Sequence, residues 1–199
     1  QKTGTTNTDL DALTGWASGT TLDFQAVLTD AAGNETVGTA FSTSMNVDLN
    51  APAAFTTGAV VTTGGNVVAA YWNATNTGLD VTVPVANDAT LTGGTIQVQA
   101  SKDGGTNWLN LGSAYTIVVG DLNAAKTLSF TEAQFEGLAG FAEGDVWSFR
   151  SVITDVAGNS TNGAASANTK TVDQVAPTAT LVFATADNII NIAERAAGF

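Results

Sequence analysis

Apolar and polar residues alternate strictly in several stretches of the chain. Leu79-Asp80-Val81-Thr82-Val83, Thr95-Ile96-Gln97-Val98-Gln99 and Trp147-Ser148-Phe149-Arg150-Ser151-Val152 each put apolar side chains on one face and polar ones on the other. Successive residues of a strand point to opposite faces, so this period of two predicts half-buried strands. Turn-forming clusters lie between them, at Asn87-Asp88, Asp103-Gly104-Gly105 and Gly158-Asn159. Short strands at such spacing predict an all-β fold, a sandwich of two antiparallel sheets. The strands are expected near residues 53–61, 79–85, 95–101, 109–119, 126–130, 146–154 and 164–172. One segment reads as helix: Thr131-Glu132-Ala133-Gln134 fits a capping box, followed by Phe135, Leu138 and a stop at Gly140. Residues 9–15, its counterpart, are consistent with one or two turns.

An internal repeat makes residues 9–15 the counterpart of that segment. Thr29-Asp30-Ala31-Ala32-Gly33-Asn34 returns as Thr154-Asp155-Val156-Ala157-Gly158-Asn159, an offset of 125 positions. The same offset carries Val47-Asp48 onto Val172-Asp173 and Ala51-Pro52 onto Ala176-Pro177, with no gap. A period this long is a whole domain rather than a solenoid repeat. The expected organisation is therefore the C-terminal part of one unit in residues 1–49, a complete unit in 50–174 and the beginning of a third in 175–199. The two partial units together lack the second to fourth strands of the sandwich. A sandwich without those strands exposes its core, which favours a window on a longer array over chains joined by strand donation.

Composition narrows the chemistry. Eighteen acidic residues stand against six Lys and Arg, for a net charge of −12. Such a surface repels nucleic acid and anionic membranes and leaves carboxylates for cations to neutralise. Cysteine and histidine are both absent, which removes disulfides, thiolate sites and the commonest general base. No acid, base and nucleophile constellation emerges, so an enzyme is the least supported class. No run of about 18 apolar residues offers a membrane-inserted helix. The polar start at Gln1 shows no secretion signal, so any such signal is expected outside this sequence.

Two linked motifs, Thr-Asp-x-Ala-Gly-Asn and Val-Asp-x-x-Ala-Pro, recur in register, and Asp187-Asn188-Ile189-Ile190-Asn191-Ile192-Ala193-Glu194 follows the second copy. This pattern resembles the bacterial immunoglobulin-like (Ig-like) repeats of large surface adhesins and biofilm-associated proteins, and the resemblance covers essentially the whole chain. It implies Ig-like antiparallel β-sandwich repeats in tandem, at the cell surface and outside the cell. It also implies that the repeats act as extenders, often stiffened by Ca²⁺ at their junctions. The last segment resembles the opening strands of such a repeat.

The recurring Thr-Asp-x-Ala-Gly-Asn should form the hairpin between the last two strands. Its plainer role is a turn whose Asp bonds its own backbone. Its functional role follows from topology: in an Ig-like sandwich this hairpin and the loop at residues 86–90 share the pole where the chain enters. Asp48, Asn50, Asn87, Asp88, Asp155 and Asn159 are then expected to converge at one junction. Hard oxygen donors in that number suit Ca²⁺, which takes six to eight of them, backbone carbonyls included. Asp9 and Asp11 could approach from the preceding unit, whereas Asp30, Asn34 and Asp173 belong to neighbouring junctions. Pro52 and Pro177 already restrict the linkers.

Other motifs carry less. Ser101-Lys102-Asp103-Gly104-Gly105-Thr106-Asn107-Trp108 nearly spells the Asp-box of sialidases, a structural hairpin even there, with Trp108 packed on the sheet. Trp16 falls opposite Phe141 in the repeat, a core position. Tyr71 and Trp72 have no counterpart, and an exposed pair would offer a stacking platform for surface glycans. Three Asn-x-Thr sequons, at Asn34, Asn73 and Asn159, suit chance in a chain rich in both residues. The leading expectation is an extracellular structural spacer or fibre segment. A self-assembling filament, sheath or surface-layer subunit and a carbohydrate-binding adhesive module are the alternatives.

Overall fold

The computed structural model describes residues 9–10, 12–180 and 192–197. Four short strands precede the main sandwich: β1 (Thr21–Leu22), β2 (Val27–Thr29), β3 (Glu35–Val37) and β4 (Met45–Asn46). They form two antiparallel pairs, β1 with β4 and β2 with β3. The sandwich that follows is all-β and Ig-like. One sheet holds β5 (Val60–Thr63), β7 (Gly78–Val85) and β11 (Ala124–Thr131), with β7 in the middle. The other is centred on β8 (Thr95–Ser101) and β12 (Val146–Thr154). Around them lie β6 (Tyr71–Trp72), β9 (Leu109–Asn110), β10 (Tyr115–Thr116), β13 (Ser160–Asn162) and β14 (Lys170–Val172).

The alternating segments are the strands that bury best. In β7 the inward set Leu79, Val81, Val83 and Val85 is sealed against Ile96, Val98 and Ala100 of β8 and Trp147, Phe149 and Ile153 of β12. Helix α1 (Glu132–Glu136) bridges the sheets, opened by the expected capping box: Gln134 N–H donates to Thr131 Oγ1 and Thr131 N–H to Gln134 Oε1. Phe135 from α1 is fully buried and meets Trp72, Phe141, Trp147 and Phe149 at ring-centroid distances of 5.0 to 5.7 Å. Such edge and tilted contacts add to the area each ring removes from water.

Three expected strands are broken. The first divides between the sheets: Thr57 N–H donates to Ala164 O, and Gly58 N–H then donates to Thr82 O on β7. Gly58 permits the crossing, because a Cβ there would lie 2.9 Å from Thr82 O. The strand expected over 109–119 survives only as β9 and β10, interrupted at Gly112, whose φ of +61° favours glycine. Of the last strand, expected over 164–172, only β14 forms, and β13 lies ahead of its expected start. At the far C-terminus Ile192–Ala197 is a helix, α2, where opening-strand sequence was expected. Its Ala193-Glu194-Arg195-Ala196-Ala197 are strong helix formers. Residues 187–191 of that motif lie outside the described residues.

The repeat reproduces itself bond by bond. Val27 pairs with Val37 and Leu28 with Thr36, as Val152 pairs with Asn162 and Ile153 with Thr161. Thr21 pairs with Asn46 as Val146 pairs with Thr171. Outside the strands, Phe41 N–H donates to Phe24 O and Ser166 N–H to Phe149 O, while Gly19 N–H donates to Val47 O and Gly144 N–H to Val172 O. Each partner is displaced by the same 125 positions.

Candidate functional site

Both copies of Thr-Asp-x-Ala-Gly-Asn form the same turn. Asp155 N–H donates to Asn159 O, Gly158 N–H returns to Asp155 O, and Gly158 takes φ +97°. The Asp155 carboxylate closes the loop, its Oδ1 accepting Asn159 N–H at 2.9 Å and its Oδ2 accepting Asn159 Nδ2 at 3.0 Å. Asp30 repeats this with Asn34, at 2.8 Å for both bonds. The donated side-chain and backbone bonds of Asn34 lower the Asp30 pKa. The turn is thus the plainer motif in both copies: an Asp bonding its own loop.

What differs is the surroundings. Asp30 is exposed, whereas Asp155 is buried. Asn159 Nδ2 donates in addition to the backbone carbonyl of Asp48, at 3.2 Å. Thr161 Oγ1 donates to Pro52 O at 2.5 Å, and Ala164 N–H to Phe55 O at 2.9 Å, continuing the contact along the linker. From the other side Ser18 Oγ donates to Asp48 Oδ1 at 3.1 Å and accepts Leu49 N–H at 2.9 Å. Residues 48–52 are therefore bonded by Ser18 on one side and by Asn159 and Thr161 on the other. One of these bonds recurs after β14, where Gln174 N–H donates to Glu143 Oε2 at 2.8 Å. Leu49 with Ser18 and Gln174 with Glu143 are the same pair 125 positions apart.

The loops do share one pole. Val156 N–H donates to Thr90 O, joining the turn to the loop after β7, and Gly94 allows the close packing. A Cβ on Gly94 would come within 2.2 Å of Thr154 O. Of the six residues expected together, Asp48, Asp155 and Asn159 make contact. Asn50 joins through its backbone N–H to Asp48 Oδ1. Asp88 caps the 3-10 turn Ala89–Leu91, its Oδ1 accepting Thr90 N–H and Thr90 Oγ1. Asn87 beside it is exposed. Among the described residues no group of three or more His, Cys, Asp or Glu side chains converges as a metal cluster. Asp9 lies in the helical turn ahead of Leu10, and Asp11 is outside the described residues.

The glycan platform loses one of its rings. Trp72 is fully buried against Phe135 and its indole N–H donates to Glu136 Oε1 at 2.9 Å. Tyr71 alone is exposed. Strand alternation explains both: adjacent residues of β6 face opposite ways, and β6 pairs with β14 in parallel, which turns Trp72 inward. The Asp-box-like segment is a hairpin. Asp103 accepts from Ser101 Oγ and from the backbone and side chain of Asn107, while Trp108 stacks under the Arg150 guanidinium at 4.4 Å. The Asn107 bonds hold the Asp103 carboxyl down at about 2.

Two polar features had no signal in the sequence. Asp121, buried, accepts from Val118 N–H, Tyr115 Oη and Lys126 Nζ, whose ammonium also lies 4.3 Å from the Tyr115 ring centroid. The Val118 N–H is the leading cause of a lowered Asp121 pKa. Lys170 is buried, its pKa lowered by desolvation, and its ammonium donates to Ala69 O. The Asp121 partners lie within six positions of it, whereas Lys170 rests on a neighbour 101 positions away.

No family model matches the chain, and no curated protein matches it. Among solved structures it is similar to the crystal structure of chicken CNTN1 FN1-FN3 domains, with 12% identity and a TM-score of 0.33. That match covers 79% of this chain and 46% of that one, so the chain spans less than half of the matched chain's length.

Proposed function

We propose that the chain is a structural segment of an extracellular surface protein, in which Ig-like units follow one another and hold their mutual orientation. The observation that carries this reading is the linker at residues 48–52, bonded by Ser18 on one side and by Asn159 and Thr161 on the other. A freely jointed linker needs no such bonds. The repetition of the Leu49–Ser18 clamp as Gln174–Glu143 supports a joint copied with the bead. The adhesin-like character rests on the recurring motifs and the acidic balance.

Ca²⁺ enters the proposal as a second brace on this joint. Asp48 O and Asp155 Oδ2 both face the Asn159 side-chain amide, so oxygens of both units already meet there. An asparagine amide carries an oxygen as well as a donor, so Asn159 can serve a cation or replace one. The other ligands would be Asp48, Asn50, Asn87 and Asp88. Bound there, a divalent cation would relieve the repulsion between carboxylates of adjoining units.

The test is small-angle scattering and thermal melting of the full chain with calcium and with chelator. The spacer reading expects a rigid maximum dimension in both, and calcium bracing expects a higher melting temperature with the ion. A scattering profile of a freely bending pair of units would overturn the spacer reading. Identical melting curves would remove calcium from it.

A further inference from the structure

We propose that Lys170 and Thr62 form a binding site for a small free monocarboxylate, in a cavity that β14 and β5 line from opposite sheets. Lys170 pairs with the buried Trp147 on β12, and Thr62 with the buried Leu79 on β7. Residues directly opposite in a ladder share a face of the sheet, so both side chains point inward. Each is 1% exposed. Both line one cavity of about 270 Å³, together with Val60, Val67 and Ala69. A water needs only about 10–15 Å³, so a ligand of several atoms has room there.

The two polar groups share an unmet need. An ammonium carries three donors, and Lys170 Nζ gives one to Ala69 O. Among the described residues the ion pairs are Lys102 with Asp145 and Lys126 with Asp121, and no carboxylate pairs with Lys170. Thr62 Oγ1, equally buried, has no hydrogen-bond partner among them. Burying a charge or a hydroxyl without partners is costly. A carboxylate answers both groups, one oxygen accepting from the ammonium and the other from the hydroxyl. Its apolar end would then lie against Val60 and Val67, in the usual manner of pockets with apolar walls and a few placed polar groups. Desolvation lowers the Lys170 pKa, a penalty that an anion beside the ammonium would offset.

Strand pairing does not demand the charge. The position 125 residues earlier is Met45, which pairs with Leu22 as Lys170 pairs with Trp147. The same register therefore forms around an uncharged side chain. An apolar residue would also sit in this seam without the cost of burying an ammonium, so the lysine calls for a partner that the strand pairing does not supply.

The test titrates the full chain with sodium acetate at neutral pH, with sodium chloride holding the ionic strength constant, and follows amide resonances. The expected result is a saturable shift at Thr62, Val67 and Lys170. Lys170→Met, which installs the side chain of the first copy, should weaken acetate binding by about tenfold or more, the usual effect of losing a hydrogen bond to a charged group. Thr62→Val keeps the shape of the side chain and should also weaken it by about tenfold, which preserves the test if Lys170→Met fails to fold. Shifts that grow linearly without saturating would overturn the proposal. So would an acetate affinity left unchanged by either substitution in a folded chain.

Discussion

The side-chain amide of Asn159 reaches back 111 positions to donate to the Asp48 backbone carbonyl, at 3.2 Å. The same nitrogen holds Asp155 Oδ2 at 3.0 Å, so one amide closes its own turn and seizes the preceding linker. In the first copy Asn34 closes its turn on Asp30 in the same manner, on an exposed surface.

Asn159→Ala removes both side-chain bonds and leaves the buried Asp155 carboxylate with less satisfaction. A destabilisation of about 1–3 kcal/mol is expected, with a broader distribution of inter-unit distances. Thermal melting and scattering measure the two effects. Asn34→Ala, lacking the linker contact, should cost less.

Gly94→Ala should be damaging although it adds only one methyl. The new carbon would meet Thr154 O at 2.2 Å and two Asp155 backbone atoms at 2.9 Å, none of which can rotate away. Displacing the turn costs about 1–3 kcal/mol as overpacking, and the joint should loosen with it. Amide shifts at Val156 and Asn159 would report the displacement; an unperturbed spectrum would contradict the argument.

Phe135→Ala should be the most costly of these substitutions. The ring sits among Trp72, Phe141, Trp147 and Phe149, and its loss opens a cavity between the sheets. A loss of about 3–5 kcal/mol is expected, read from a denaturant midpoint at constant slope.

Asp103 sets a pH dependence for its hairpin. Its carboxyl is held at about 2, below the ordinary 3.8, chiefly by the Asn107 backbone N–H. Because the folded value is depressed, its contribution is complete above the ordinary value and disappears as pH falls toward 2. The Asn107 amide resonance should therefore titrate with a midpoint near 2. Asp103→Asn should abolish that titration, and a midpoint near 4 would show the bonds absent in solution.

The sequence by itself determined the strands with clean alternation and the repeat. Residues 95–101 and 146–154 are β8 and β12 at the expected bounds, because one face of each strand is buried and the period of two is forced. The capping box of α1 was legible because it is made of neighbours only. The turn at Asp155 was legible too, since its bonds span four positions. Tertiary structure decided the rest. Gly58 sends the first strand from one sheet to the other because two strands approach too closely for a side chain. Trp72 is core rather than platform because β6 finds a parallel partner about 100 residues later. Only the packed unit turned Asn159 toward Asp48, since a bond between residues 111 positions apart leaves no local trace. The same packing seals Phe149 and leaves its copy Phe24 39% exposed: the two share a local register, but among the described residues only the second faces an opposing sheet.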